Sequence, residues 1–314
     1  MPSGVGLDAR YAAGVNDGYV YSDVLGNDAA GSTVLAYMAR AYLHSSSEVW
    51  AARIAVGEVV VDDVVAAVDT VLAVGQRLDW HKPPWQEPEA PTDVVVLFDD
   101  DDLIAVHKPA GLPTLPGSGY LNNTLLGIVR RMSSSASTAS PVHRLDRGTS
   151  GIVLFARHAE AARQVQQQWD SHRVHKVYRA LVEGVVEADH VVVDARIGPV
   201  ADVVVGELFV ASAAGKASRS TLQVVERRAE HTLLDVQIET GRPHQIRIHA
   251  AVIGHPLVHD PVYGVGGIRA PGSTARPGDI GYLLHAHTLT LQHPRTHAPL
   301  VLTAPPPAGL RSRQ

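Results

Sequence analysis

The sequence predicts an α+β fold built on a mixed β-sheet, and two observations carry that expectation. Strand-like apolar runs and helical periodicities are interspersed along the chain without the regular strand–helix–strand rhythm of a parallel sheet. A proline-rich stretch, Lys82-Pro83-Pro84-Trp85-Gln86-Glu87-Pro88 continuing to Pro91, cannot hold a regular helix and reads as an extended linker between a small unit and a larger one.

The elements follow in order. Residues 1–31 carry no clear periodicity and are left unassigned. Val34, Leu35, Met38 and Tyr42 recur at helical spacing, and Ser45-Ser46-Ser47-Glu48 reads as a capping box opening a second helix through Ile54, closed by Gly57. Glu58 to Val61 and Val71 to Val74 read as short strands around a turn at Asp62-Asp63. This gives a small unit at 32–81, a linker at 82–93 and a larger domain at 94–314. In the larger domain Val94–Phe98 and Leu103–Val106 read as strands joined by an Asp99–Asp102 turn, and Ser133–Ser137 as a flexible loop. Ile152–Phe155 reads as a strand, Ala159–Trp169 as a helix and Val177–Val186 as a strand. Leu233–Ile238 then precedes a helix that Pro243 opens and Gly254 closes.

Composition bounds the function. The chain of 314 residues is 45% hydrophobic and 19% charged, which fits a globular protein rather than a disordered one. It has no apolar run of membrane-spanning length, and Met1-Pro2-Ser3-Gly4 shows neither the basic start nor the apolar stretch of a secretory leader. The absence of cysteine excludes disulfides, thiolate zinc sites and cysteine nucleophiles, and a cytoplasmic setting is the natural reading. Lys plus Arg number 27 against 32 Asp plus Glu, so a nucleic-acid partner must be met by a local basic cleft rather than by the field of the whole molecule.

Three clusters carry chemistry. In His143-Arg144-Leu145-Asp146-Arg147-Gly148-Thr149-Ser150-Gly151 a carboxylate stands between two arginines and two glycines, between a serine-rich loop and a strand. The flanking cations favour the ionised carboxylate that nucleophilic or base catalysis requires, although a surface Arg–Asp pair stiffening a loop would look the same. Thr240-Gly241-Arg242-Pro243-His244-Gln245-Ile246-Arg247-Ile248-His249 places His244 and Arg247 on one helical face, with Gln245 nearby, suited to anion or phosphate contact. The density of His244, His249, His255, His259 and Asp260 raises metal binding, but their spacing matches no zinc pattern, so no metal is expected. In Lys176-Val177-Tyr178-Arg179-Ala180-Leu181 the tyrosine, taken alone, is a core residue. His143-Arg144-Leu145-Asp146 has no Gly-rich loop to make it a kinase loop, and Gly117-Ser118-Gly119 is too short for a nucleotide cradle.

Taken in order, these clusters resemble the RluA family of pseudouridine synthases. The matching segments are Lys108-Pro109-Ala110-Gly111-Leu112, His143 to Gly151, Lys176 to Ala180, Gly241 to His249, Pro256 to Gly264, and Leu284-His285-Ala286 with His293-Pro294. The resemblance spans roughly residues 94 to 305. It implies a mixed, mostly antiparallel sheet with flanking helices and a central cleft, and an isomerase that converts uridine to pseudouridine in structured ribosomal or transfer RNA without a cofactor. It further implies that Asp146 is the nucleophile, that Tyr178 stacks on the uracil and takes part in proton removal at carbon 5, and that Arg247 salt-bridges Asp146. Arg144 would enter the RNA helix as the base leaves it, and Leu284 would pack beneath the base. His143, Thr149, His244 and Gln245 complete the expected RNA and substrate contacts.

The unit from about Ser32 to Trp80 resembles the small RNA-binding domain often placed before such catalytic domains, but Ser45-Ser46-Ser47 lacks the usual basic residue between serines. His259 stands where the family has glycine, and Pro113-Thr114-Leu115-Pro116-Gly117 where many members have a histidine. Two other classes stay open: a catalytically silent RNA-binding protein and a metal-dependent hydrolase. No amphipathic stretch is left over for an interface, so a monomer is expected.

Overall fold

A computed structural model describes residues 15–313, so residues 1–14, with the expected absence of a leader, lie outside the described residues. The chain divides into two compact units between Glu87 and Pro88.

The first unit contains β1 (Tyr19–Val24), α1 (Val34–Ala41), α2 (Ser47–Ala55), β2 (Val59–Val61), β3 (Val64–Val65) and β4 (Arg77–Lys82). Its sheet runs β1-β4-β2-β3. Trp50, Met38, Val34, Leu72, Leu78 and Trp80 form its core. Thr33 and Ser46 cap the two helices by accepting from Ala36 N and Val49 N, so the second cap falls one residue after the expected Ser45. Asp62 and Asp63 both take positive φ, the geometry of a two-residue hairpin turn. That turn joins β2 to β3, whereas Val71–Val74 forms no strand. Leu72 is buried there but Val71 and Val74 face solvent, and the partner of β2 is β4, anchored by the Arg77 N–H to Asp62 Oδ1 at 2.9 Å. β1 lies inside the segment left unassigned; its six residues are all exposed, so it lacks the alternation that burial imposes. The proline-rich stretch is extended as expected. Up to Glu87, however, it is tied to the first unit by Asn16, whose Nδ2 donates to Glu87 Oε1 at 2.9 Å.

In the second unit β5 (Val95–Asp99) and β6 (Leu103–Lys108) form the expected hairpin, followed by α3 (Leu125–Met132), β7 (Ser140–Pro141), β8 (Ser150–Ala156) and α4 (Ala159–Asp170). Next come β9 (His175–Glu183), β10 (His190–Val193), β11 (Ile197–Asp202), β12 (Gly206–Ala211), β13 (Ser220–Arg227) and β14 (His231–Ile238). Then follow α5 (Gln245–Val252), β15 (Tyr263–Gly264), β16 (Ile268–Arg269), β17 (Leu284–Gln292) and β18 (Pro299–Thr303). A ten-stranded sheet runs β10-β13-β14-β9-β17-β8-β6-β5, with β18 on β17 and β7 on β8. Its ladders are antiparallel except β8 with β17. The mixed, mostly antiparallel α+β architecture is therefore the one the sequence predicts.

Ser133–Ser137 is not a free loop. It carries a 3-10 turn over Ser134–Ala136, with Ala136 buried and Ser135 O accepting from Arg157 Nη1 at 2.8 Å.

β8 is buried along its whole length, which is why Ile152-Val153-Leu154-Phe155 reads as an unbroken apolar run. Its parallel contact with β17 consists of His285 opposite Ser150 and Ala286 opposite Gly151. Gly151 has φ +115°, and a Cβ on it would stand 2.2 Å from Ala286 O. Gly151→Ala should therefore destabilise the protein by roughly 3 kcal/mol or more, measured by urea unfolding; a change within ~0.5 kcal/mol would show that the two strands part without cost.

Candidate active site

The turn between β7 and β8 carries Asp146, and nearly everything around that residue is fixed. Leu145 is buried, and Thr114 brackets it: Thr114 Oγ1 accepts from Leu145 N at 3.2 Å and donates to Leu145 O at 2.7 Å. Lys108, fully buried, donates from Nζ to Leu112 O (2.7 Å), Pro109 O (3.0 Å) and Arg147 O (3.2 Å). Burial pushes its ammonium down to about 7 while the charge of Asp146 opposes the shift. Three carbonyl acceptors match the three protons of an ammonium, so the geometry favours the charged form. Gly111 N adds a second bond to Arg147 O at 2.7 Å, which accounts for the Lys108–Leu112 motif as the clamp of this turn. Beyond Asp146, Gly148 leaves room for the Tyr282 ring, which a Cβ would approach to 2.8 Å.

Asp146 lies in the wall shared by two clefts. One, of about 540 Å³, has Tyr178, Leu284, Ile238 and Ile246 among its lining and cationic groups from Arg144, Lys176, Arg242 and Arg247. The other, of about 650 Å³, is bordered by Arg144, Arg147, Arg276 and the Pro113–Ser118 loop. The local basic lining that an acidic chain needs is thus present on both sides of the carboxylate. Arg144 is exposed and has neither a hydrogen bond nor an ion pair among the described residues, whereas Arg147 is anchored on Gly278 O and Tyr120 Oη. The Asp146 side chain is 28% exposed, and its nearest ionisable partner is His244, with Nε2 3.9 Å from Oδ2.

Tyr178 is on β9 and Leu284 begins β17, neighbouring strands that bring both side chains to the first cleft. The Tyr178 hydroxyl has no hydrogen-bond partner among the described residues. Burial, with the charge of Asp146 second, pushes its ionisation up, so it stands at the cleft as the neutral phenol and not as a ready base.

Arg247 has a different partner from the one expected. It forms a bidentate pair with Asp260 (Nε–Oδ2 2.7 Å, Nη2–Oδ1 2.8 Å), and both side chains are 1% exposed. Its guanidinium also lies 4.2 Å from the Tyr282 ring centre and 4.9 Å from that of Tyr263. The preference for Asp260 is physical: that carboxylate already accepts from Val262 N (2.9 Å) and Tyr263 N (3.0 Å), whereas Asp146 keeps contact with solvent.

Four further expectations change. Gln245 is 3% exposed; its Oε1 accepts from Thr240 Oγ1 (2.7 Å) and Arg242 N (3.1 Å), and its Nε2 donates to Arg219 O and Ser220 Oγ (both 2.9 Å). It shapes the 240–244 loop from inside and has no hydrogen-bonding position left for RNA. Thr149 is buried, with Oγ1 3.2 Å from Tyr282 Oη. His143 is a support as well, since Nε2 accepts from Leu154 N at 3.1 Å and the ring stacks on Trp169 at 5.0 Å. His244 is the N-cap of α5, at φ +54°, and precedes the helical face that the spacing placed it on. Asp260 stood out from sequence only as a possible metal ligand, and Tyr263 and Tyr282 were not singled out; the first two lie inside a matching segment, but nothing local says that they hold an arginine.

Comparisons with known proteins place the chain in a family. A family model described as RNA pseudouridylate synthase matches residues 102–252. RNA pseudouridine synthase 5 of Oryza sativa subsp. japonica is 39% identical over 355 residues, covering 95% of this chain and 89% of its own length. The chain belongs to the RluA-type RNA pseudouridine synthases. As a pseudouridine synthase it is an isomerase that converts uridine to pseudouridine in RNA. Ribosomal large subunit pseudouridine synthase D of Nitrosomonas europaea is 38% identical over 68% of this chain and 62% of its own length. The solved structure of Human RNA Pseudouridylate Synthase Domain Containing 1 shares the fold, with a TM-score of 0.56 and 23% identity over 70% of this chain and 86% of that one. Among the described residues no helix of the synthase is long and apolar enough to cross a membrane.

Two outcomes follow for this scaffold. Asp260→Leu should cost about 3–5 kcal/mol in urea unfolding by stranding the buried Arg247 charge, and adding Arg247→Met should recover part of that loss; a cost under ~1 kcal/mol would mean that Arg247 is held by other groups. The second concerns acid. Burial takes His143 from near 6.5 down to about 3, so between those values the unfolded chain binds a proton that the folded chain does not. Stability is then lost as pH falls through that window, by at most ~1.4 kcal/mol per pH unit from this group. His143→Gln, which can still accept from Leu154 N, should show a shallower loss between pH 7 and pH 5; an unchanged slope would refute the assignment.

Proposed function

We propose that Asp146 is the catalytic nucleophile acting on a uridine flipped out of structured RNA, with no cofactor. The observation that carries the reading is the position of its carboxylate in the wall between two cation-lined clefts, one of which has Tyr178 and Leu284 in its lining. In this reading the uracil enters the 540 Å³ cleft, against the Tyr178 ring and the Leu284 side chain, while the strand it leaves lies along the other cleft. Flipping costs a few kcal/mol, and stacking on an aromatic ring returns about 1–3 kcal/mol. Arg144, exposed and unpaired among the described residues, is a cation free to fill the space vacated by the base.

Asp146 then acts at the sugar–base junction to break the carbon–nitrogen bond. The uracil turns while held, carbon 5 joins C1′ of the ribose, and the loss of the proton on carbon 5 is balanced by the gain of one at N1. Arg247 supports this site through Asp260, Tyr263 and Tyr282 and not through a salt bridge to Asp146. The Nitrosomonas relative's name supports ribosomal RNA as the target class, with transfer RNA as the other member of the expected pair. Both are folded RNAs that present the looped uridines a flipping enzyme can reach.

Carbodiimide-stop mapping of total RNA from cells with and without the gene should show loss of one or a few pseudouridines, restored by wild type but not by Asp146→Asn. In vitro Asp146→Asn should keep RNA affinity and lower kcat by more than ~10³-fold; retained turnover would overturn the role of Asp146. Arg144→Ala should weaken RNA binding about equally across sequences and reduce the salt slope by about one. A salt slope identical to wild type would place Arg144 away from the RNA.

A further inference from the structure

The protonation pattern of His244 is fixed by its neighbours. The Tyr263 hydroxyl donates to Phe209 O at 2.8 Å, and a carbonyl can only accept. A phenol has one proton, so that same hydroxyl must accept from His244, whose Nδ1 lies 2.7 Å away. Nδ1 therefore carries the proton, and in the neutral ring Nε2 presents a lone pair. Asp146 and Asp260, Arg144 and Arg247 are the charged groups around the ring, and burial outweighs them in favour of the neutral form.

That lone pair faces Asp146 Oδ2 across 3.9 Å, too far for a hydrogen bond, and among the described residues no group donates into the gap. Two acceptors facing each other form a seat that a donor on the substrate can fill. A lone pair also excludes the phosphate contact expected of His244. An internal uridine has two donors, N3–H on the far edge of the base and the 2′-hydroxyl on the carbon next to C1′. The bond to be broken joins C1′ to the base, so a group beside the Asp146 carboxylate lies beside the 2′-hydroxyl.

We infer that His244 Nε2 accepts a hydrogen bond from the 2′-hydroxyl of the target nucleotide, so that the site selects ribose and sets C1′ against Asp146. The inference deepens the reading of Asp146 given above and rests on it. His244 is a positioning residue with a substrate contact, and Tyr263 sets which of its nitrogens is free to accept.

The test uses the mapped RNA carrying uridine, 2′-deoxyuridine or 3-methyluridine at the modified position. Wild type should lose about 10- to 100-fold in kcat/KM on 2′-deoxyuridine. His244→Asn tolerates the left-handed backbone but is too short to reach. It should lose a similar factor on uridine and almost nothing more on 2′-deoxyuridine. Tyr263→Phe, which frees the other tautomer, should weaken the preference for ribose without abolishing it. Methylation at N3 should affect wild type and His244→Asn by equal factors. A purely structural role would lower both sugars alike, so an undiminished preference for ribose in His244→Asn, or in Tyr263→Phe if the first variant fails to fold, overturns the inference. So does wild type that ignores the 2′-hydroxyl, or a coupling that appears with 3-methyluridine instead. Asp146→Asn separates the two levels: turnover in that variant removes the reading of Asp146, whereas its inactivity alongside an unaltered ribose preference in His244→Asn removes only the assignment of His244.

Discussion

The short parallel contact between β8 and β17 is the constraint on which the rest of the second unit depends. The strands on one side of it run β9, β14, β13 and β10, and those on the other β6 and β5. The join is two residue pairs long, and Gly151 lets the backbones approach where any side chain would collide with Ala286. Ser150 locks it: His285 Nε2 faces Ala304 O, which can only accept, so His285 Nδ1 accepts from Ser150 Oγ at 2.8 Å. The Asp146 turn leads into β8, Tyr178 sits on β9 and Leu284 opens β17. The three side chains meet because the sheet is joined there.

Around that seam the protein uses buried charge where an apolar core would serve stability as well. Lys108 ties three carbonyls of two loops, and Arg247 with Asp260 ties α5 to the segment before β15. Apolar side chains fill volume without fixing direction, whereas an ammonium on three carbonyls or a forked guanidinium on a carboxylate admits one arrangement. The result is a turn in which Leu145, Arg147 and Thr149 are fixed by the protein, leaving Asp146 and Arg144 to face what enters.

Much of this was legible in the sequence, and the parts that were not share a cause. The hairpin at Asp99–Asp102, β8 and α4 follow from apolar pattern and local turn chemistry, which a linear reading registers directly. β1 escaped because an edge strand with no buried face carries no alternation, although Tyr19-Val20-Tyr21 has strong strand propensity. Val71–Val74 was misread because a single buried side chain, Leu72, looks the same in sequence as a short strand. In the site, residue types pointed to Asp146 and the basic cleft, but partners are a three-dimensional property. Arg247 could be seen to need a carboxylate; that Asp260 and not Asp146 supplies it depends on two backbone amides that no spacing reveals. Gln245 and Thr149 stood in a polar motif and proved to be internal braces.

The order of the strands along the chain has a kinetic consequence. β13 and β14 are neighbours both in sequence and in the sheet, and β9, made before them, can take its place on β14 as soon as that strand exists. β17 must instead insert between β9 and β8, closing loops as long as the 135 residues between Ser150 and His285. Non-local closures of this kind are the slow steps of folding, and during synthesis β17 is made long after Asp146 and Tyr178. Until it arrives, the facing edges of β8 and β9 lack their shared partner and the cleft lacks Leu284. A nascent chain surrounded by RNA thus carries the Asp146 carboxylate for much of its synthesis without the completed cleft around it.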